Sequence, residues 1–329
     1  MNEAIIRWVV RHSPSRHLAD HLVGRHRRNV KGSQLLVHCS IDDIHFDLKV
    51  DTTEIYGYLL YMMGQIEPVT SYFLRHLMRS RQVLLDIGAN VGYYTVLAAK
   101  SNPGCQIWSF EPAPSNFSLL RENTEANRLS TVSLHQLALG EQKTTLKLNI
   151  YQDQALNAIN TDTQNPHPFF PDGPSEVVQV PCTTVDSFMA ESGLRKVDVM
   201  KLDVEGYEYF VLKGATNLLA DADAPILLCE IEPLWLTRFG LMAPSVIGYI
   251  EDLGYQTIGL TRYGLVEKDR WGDSPTIENY AFVKGHQRAE IEEIGQEYYS
   301  GLLRIKSVVG MAVFPTWRSW RRSLSADQI

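Results

Sequence analysis

Three short stretches of this chain bring together residue types that can do chemistry. In Val83–Lys100 (VLLDIGANVGYYTVLAAK) an apolar run carries Asp86 near its end and gives way to Gly88-Ala89-Asn90-Val91-Gly92 before a helical pattern begins. Strand, tight turn and helix N-terminus together leave backbone N–H groups and the positive end of a helix dipole facing an anion. A dinucleotide-binding turn needs glycine where this chain carries Asn90 and Tyr93, and their bulk opposes a pyrophosphate. The turn suits a smaller carboxylate, such as that of a methionine moiety. Glu111, 23 residues after Gly88 and inside Phe110-Glu111-Pro112, stands at the tip of the next apolar run. Alone it would be a solvated charge; after a glycine turn it can accept both hydroxyl protons of a ribose diol. The third stretch is Val197–Glu208 (VDVMKLDVEGYE), where strand alternation sets Lys201, Asp203 and Glu205 on one face. Ionisable groups in a row on a central strand are costly unless partnered. They form either a self-compensating Lys201–Asp203 pair or a polar line running to a ligand's amino group or a reacting oxygen. Glu230 and Glu232 repeat the theme in Cys229–Pro233.

These residues need a frame that sets strand ends side by side. Gln34–Val50 predicts a hairpin around Asp42-Asp43, laid on the edge of something larger, and Val69, Tyr72, Phe73 and Leu77 follow helical spacing. From Gln82 apolar runs alternate with amphipathic helical stretches: VLLDIG, QIWSF, VSLHQLALG, VDVMKLDV, ILLCEIE, YQTIGL and TIENYAFVK. One helix is expected with Tyr207, Phe210, Val211, Leu218 and Leu219 on one face, and another near Ser245–Leu253. That rhythm is α/β, a mostly parallel sheet covered on both faces, and the short last connection predicts an antiparallel ending. Tyr151–Ser175, rich in Asn, Asp and Pro, breaks the rhythm and reads as a long loop beside the site, a flap or a passive excursion.

Composition narrows the classes. With 31 Lys+Arg, 38 Asp+Glu and 44% hydrophobic residues, the 329-residue chain is ordinary for a globular protein and is not a strongly basic nucleic-acid binder. Aromatic and basic residues are not interleaved on any predicted strand face, which also argues against nucleic acid. The charge is segregated: Met1–Lys31 is net +5, Arg304–Ile329 net +4, and the body between them −16. The ends also hold Ile5, Ile6, Trp8, Val308, Phe314, Trp317 and Trp320. Trp and Arg beside apolar residues suit an interfacial helix in lipid headgroups, and equally an arm docked on the acidic body of its own or a neighbouring subunit in a homo-oligomer. Cys39, Cys105, Cys182 and Cys229 are scattered, as in a reducing cytoplasm, and no apolar run approaches the ~18 residues of a membrane span. The N-terminal apolar patch, broken by Arg7 and Arg11, is too short for a signal peptide. The expectation is therefore a cytoplasmic protein, peripheral at the inner membrane face if its ends meet lipid.

Asp86-Ile87-Gly88-Ala89-Asn90-Val91-Gly92-Tyr93-Tyr94, then Phe110-Glu111-Pro112, Ala138-Leu139-Gly140, Lys201–Glu208 and Leu212-Lys213-Gly214-Ala215, with Ile66-Glu67-Pro68 upstream, come in a fixed order. Together they resemble the FkbM family of S-adenosylmethionine-dependent methyltransferases over about Val50–Lys284. The resemblance implies a Rossmann-like class I methyltransferase fold, a mostly parallel seven-stranded sheet with an antiparallel last strand. It implies S-adenosylmethionine as cofactor and O-methylation of a saccharide, glycolipid or natural product. Carried over, Gly88, Asn90 and Gly92 form the cofactor loop with Tyr94 behind it, Asp86 lies near the methionine end and Glu111 on the ribose. Leu137 and Ala138 flank the adenine, Asp203 and Glu205 sit beside the sulfonium, and Glu67 closes the site from above. The chain departs from the pattern at Cys229–Pro233, where many relatives place a histidine near Glu232, so the proton acceptor is open among Glu205, Glu230 and Glu232.

Two other function classes stay beside this one: a non-catalytic binding module on the same fold, and an NAD-dependent oxidoreductase, which Asn90 and Tyr93 oppose. No metal is assigned; Mg²⁺ on Asp203 and Glu230 is the lesser alternative. His135 and His167 are read as structural or surface residues. The expected organisation is a basic arm at 1–32, a catalytic domain at 33–285 including the hairpin and the 151–175 loop, and a helical basic tail at 286–329.

Overall fold

The computed structural model describes residues 34–151, 153–161, 173–261, 264–267 and 279–309. Gln34–Ile41 (β1) and Ile44–Asp51 (β2) form the expected hairpin, turning at Asp42 with a positive φ of 50°. Alternation sends Val37, Cys39, Ile41, Phe46, Leu48 and Val50 inward. The hairpin does not extend the main sheet. It is a separate two-stranded sheet lying on the helical layer, and its Lys49 N–H donates to Asn123 Oδ1 at 2.7 Å. Ile55–Met63 (α1) and Pro68–Met78 (α2) follow; α2 starts with Pro68, whose missing N–H costs nothing at a first turn.

Val83–Ile87 (β3), Tyr93–Ser101 (α3), Gln106–Phe110 (β4), Pro114–Ala126 (α4) and Val132–His135 (β5) make the first half of a doubly wound sheet. The run expected as one strand from Val132 to Gly140 is split. Ala138–Leu139 (β6) leaves for a second sheet with Thr144–Ile150 (β7), Ala158–Ile159 (β8) and Glu176–Thr183 (β9), ordered β6-β9-β7-β8. The start of the predicted loop is therefore structured, with a 3₁₀ turn at Gln154–Leu156 before β8. Its residues 162–172 lie outside the described residues, as do His167, the N-terminal arm and the tail beyond 309.

Val185–Ser192 (α5) leads to Val199–Leu202 (β10). The single helix expected after it is two, Glu208–Lys213 (α6) and Thr216–Ala220 (α7), broken at Gly214, where a Cβ would lie 1.9 Å from the Gly140 carbonyl oxygen. Ile226–Glu230 (β11), Pro233–Leu236 (α8), Ala243–Asp252 (α9), Gln256–Thr261 (β12), Gly264–Glu267 (β13), Asn279–Val283 (β14) and Arg288–Val309 (α10) complete the chain. The main sheet is ordered β13-β12-β14-β11-β10-β3-β4-β5. Strands β5, β4, β3, β10 and β11 pair in parallel, and β14 runs antiparallel between β11 and β12, as expected. Among the described residues this sheet has eight strands rather than seven, because β13 folds back on β12. Chain order reverses between β3 and β10, which opens a crevice at their carboxyl ends.

Period 2 divides the core. Leu84, Ile107, Val199, Ile226 and Leu228 pack with the hairpin and α2 on one face; Leu85, Met200, Leu202, Leu227 and Phe282 pack with α5, α6 and α9 on the other. Ile291 and Ile294 of α10 belong to the first of these clusters, and Arg81 donates to Glu290 at 2.8 Å. The first turns of α10, beyond the boundary expected at 285, thus pack into the domain. Among the described residues no helix is long and apolar enough to cross a membrane.

Candidate active site

The crevice is built on a turn that needs its glycines. Gly88 has φ 81°, and a Cβ there would lie 1.8 Å from the Asp203 carbonyl oxygen. Gly92 caps α3 at φ 95°, and a Cβ there would meet Leu120 Cδ1 at 2.8 Å. Asn90 between them holds φ 51°, a conformation that asparagine tolerates better than most residues. The N–H groups of Gly88 and Ala89 both donate to the Phe110 carbonyl at 3.0 Å, tying the turn to the end of β4. Glu111 follows at once. Its Oε2 accepts the Asn90 N–H and its Oε1 the Ala113 N–H, each at 2.9 Å. Burial pushes its carboxyl up to about 7 against the pull of those two amides. Glu111 therefore braces the turn with one lone pair on each oxygen and keeps the others for a ligand.

Behind the turn the buried charges form a chain. Register sets Lys201 of β10 beside Asp86 of β3 and Asp86 beside Ser109 of β4. Asp86, fully buried, accepts from Thr95 Oγ1 at 2.5 Å, and burial raises its carboxyl above the ordinary range. Lys201, also buried, donates to Asp203 Oδ2 at 2.6 Å and lies 4.7 Å over the Tyr94 ring. Burial alone would lower its ammonium; the fields of Asp203, Glu67 and Asp86 outweigh it and raise it. Tyr94 donates its hydroxyl to Glu67 Oε2 at 2.5 Å, where Glu67, at φ 38°, stands before the first turn of α2. One oxygen each of Glu67, Asp203 and Glu230 lies within 4.8 Å of the others, a hard donor set wider than the Asp203–Glu230 pair of the sequence. Lys201 already supplies a cation against Asp203. Burial, then the neighbouring carboxylates Asp203, Glu67 and Glu205, push Glu230 well above the ordinary range.

One expectation about this cluster fails. Strand β10 ends at Leu202, so alternation does not carry Lys201, Asp203 and Glu205 along one face. Asp203 meets Lys201 beyond the strand end, while Glu205 at φ 51° and Gly206 at φ 95° form a left-handed turn. Glu208, to which the spacing assigns no role, holds that turn: its Oε1 accepts the N–H groups of Val204 at 3.1 Å and Gly206 at 3.0 Å. Burial raises its carboxyl to about 7. A glutamate two residues after a Glu-Gly pair at a strand end was the available signal. Glu232 serves as the N-cap of α8, accepting the Leu234 N–H at 3.0 Å, with Pro233 as the first helical residue. Leu137 is half-buried, and Ala138 is buried on β6, paired with Cys182 in the second sheet. His135 is stacked on Trp108 and Phe110 at 5.5 and 5.1 Å, a packing position as expected.

The Methyltransferase FkbM domain matches residues 86–257, just over half of the chain. Methyltransferase 1 of Beauveria bassiana is 32% identical over 143 residues, 40% of this chain and 57% of that protein. The 31-O-demethyl-FK506 methyltransferase FkbM of Streptomyces tacrolimicus is 28% identical over 176 residues, 46% of this chain and 66% of that protein. The hexuronic acid methyltransferase AglP of Haloferax volcanii is 29% identical over 144 residues, 42% of this chain and 51% of that protein. The chain thus spans between about half and two thirds of these relatives. Among solved structures, SAH-bound PaMTH1 of Podospora anserina aligns at TM-score 0.37 with 14% identity, covering 65% of this chain and 75% of its own. Since the matched span begins at Asp86 and takes in the glycine turn, Glu111 and the Lys201–Asp203 pair, this chain belongs to the FkbM methyltransferase domain family.

Proposed function

We propose that the chain is an S-adenosylmethionine-dependent methyltransferase that methylates a hydroxyl of a saccharide, glycolipid or natural product. The observation that carries this reading is Glu111, buried behind the glycine turn with one amide hydrogen bond on each oxygen. The cradle fits the cofactor: Gly88 and Gly92 let the turn pack against Asp203 and Leu120 at the sheet's carboxyl edge, the turn faces the methionine carboxylate, and Glu111 takes the ribose diol. Tyr94 and Glu67 close the cradle over Lys201, and Leu137 and Ala138 border the adenine. Asp86, Asp203, Glu205 and Glu230 give the crevice the negative field that a sulfonium requires. When bound, S-adenosylmethionine supplies an electrophilic methyl carbon. The chain's part is to align the acceptor oxygen, exclude water and take the hydroxyl proton. Alignment supplies the larger share, and a positioned base about 10²–10⁴-fold. Glu230 is the first candidate for taking the proton on a carboxylate oxygen, since burial and then the neighbouring acids raise its proton affinity; Glu205 on its turn is the second, and Glu232 is occupied as a cap. The names of two relatives, a demethyl-FK506 and a hexuronic acid methyltransferase, support this acceptor range. We read the basic ends as docking elements for lipid or a neighbouring subunit.

Calorimetry with S-adenosylmethionine and NAD side by side tests the reading. Micromolar binding of the first, none of the second, and loss of the first in Glu111→Ala are expected. No heat with S-adenosylmethionine in the unaltered chain would sink it.

A further inference from the structure

Arg238 follows α8 in the 3₁₀ turn Thr237–Phe239 and is only 5% exposed. Its Nη2 donates to the Ile159 carbonyl of β8 at 3.1 Å, and its guanidinium carbon lies 5.7 Å from the Trp235 ring and 5.9 Å from the Phe239 ring. Nε and Nη1 are buried and have no hydrogen-bond partner among the described residues. No carboxylate among the described residues forms an ion pair with it. A buried guanidinium held by one backbone carbonyl is expensive, because the charge loses water and gains no counter-ion. Burial accordingly lowers its proton affinity, against the fields of Tyr151 and Glu205. The place of this cation is informative. A Cβ on Gly206 would lie 2.8 Å from both Trp235 Cβ and its carbonyl oxygen, so the turn that presents Glu205 rests on the segment that carries Arg238. On its other side stands β8, an edge strand of the second sheet. The cation thus sits between the turn that presents Glu205 and β8 of the second sheet.

We propose that Arg238 is an acceptor-binding residue, and that the acceptor is a saccharide carrying an oxyanion, carboxylate or phosphate, which pairs with the buried, unpaired Nε–H and Nη1–H donors. This deepens the methyltransferase reading and rests on it. An oxyanion on a guanidinium makes charge-assisted hydrogen bonds, stronger away from water, and fixes the orientation of the sugar ring. The neighbouring hydroxyl would then be presented to the carboxylates at the end of β10 and β11. A neutral sugar would leave the cation unpaired.

The test uses the full chain saturated with S-adenosylhomocysteine, titrated calorimetrically with glucuronate, glucose 1-phosphate and glucose. Binding of one or both charged sugars and none of glucose is expected; which one binds identifies the oxyanion. Arg238→Met should weaken that binding by at least roughly 30-fold. Arg238→Lys, which keeps the charge but not the planar fork, should fall between. Two readouts separate this role from a structural one: S-adenosylhomocysteine affinity stays unchanged in Arg238→Met, and its melting temperature stays level or rises, since an unpaired buried charge has been removed. Failure of the unaltered chain to bind S-adenosylhomocysteine would overturn the methyltransferase reading. Cofactor binding with no charged-sugar binding, or with charged-sugar binding unchanged in Arg238→Met, would overturn the role of Arg238.

Discussion

Lys201 decides the electrostatics of the crevice at the scale of single residues. Its ammonium is 2.6 Å from Asp203 and faces the fields of Glu67 and Asp86, all at the carboxyl edge of the sheet. Removing one partner of a buried ion pair leaves the other charge uncompensated, which costs about 3–5 kcal/mol. Lys201→Met is therefore expected to lose about 3 kcal/mol in urea unfolding near neutral pH. The sign of the pH dependence follows from the acids that remain. Glu67, Asp86 and Glu230 are held above their ordinary range by burial, so they take up protons readily as pH falls and their mutual repulsion disappears. The gap between Lys201→Met and the unaltered chain should narrow toward pH 5. A gap that stays constant from pH 8 to pH 5 would mean that Lys201 acts through packing alone. Glu208 works at the same scale, one oxygen accepting two backbone hydrogen bonds that set the turn on which Glu205 stands.

Elements convert those residues into a site through close approach at the sheet's carboxyl edge. The turn after β3 can lie against the end of β10 only because Gly88 has no Cβ. Gly88→Ala combines a left-handed φ of 81° with overlap on the Asp203 carbonyl and should cost about 3 kcal/mol or more, and weaken cofactor binding by displacing Asp203. Gly193, at the C-cap of α5, is the control. Its φ is 75° but nothing lies within 4 Å of a Cβ there, so Gly193→Ala should cost about 1 kcal/mol and leave binding intact. Equal losses in the two variants would show that the approach is not tight. The same contrast explains what could be read in advance. The glycine turn, Glu111 and the alternation of β3, β4, β10 and β11 are local in sequence, and spacing alone reveals them. The second sheet is not local: β6 and β8 are two residues each, too short to carry a period, and only pairing with β9 and β7 makes them strands. The end of β10 was misplaced because Asp203 and Glu205 continue a strand-like alternation, whereas Asp203 N–H turns to the Ile87 carbonyl and Glu208 captures the backbone beyond. Glu232 is legible as a cap, since it stands before Pro233, although its repeat of Glu230 also suggests chemistry. Arg238 carried no signal, since its meaning lies in the partners it lacks.

Charge organisation belongs to the whole molecule, where a net −7 is divided between basic ends and a body of −16. Part of that acidity is carried by buried carboxyls that hold a proton more tightly than free ones. Glu111 and Glu208 are each raised from an ordinary 4.5 to about 7, chiefly by burial. A folded chain that holds these protons more tightly than the unfolded chain gains stability from them, fully below about 4.5 and progressively less as pH rises through about 7. Asp198 works the other way: backbone amides and Lys196 outweigh burial and lower it, so its contribution is lost only in strong acid. The ligand-free protein should therefore melt at a higher temperature near pH 5 than near pH 7.5, and Glu111→Gln should flatten that slope. A cationic cofactor beside Glu111, Asp86 and Glu230 reverses the balance, because it favours their ionised forms. Binding of S-adenosylmethionine should release protons, tighten as pH rises from 6 toward 8, and raise the melting temperature most at the upper end. Calorimetry at pH 6.5 in two buffers of different ionisation heat measures the released protons directly. Equal heats in the two buffers would mean that the carboxylates at the sheet edge do not respond to the cofactor's charge, and the acidic body would then need another explanation.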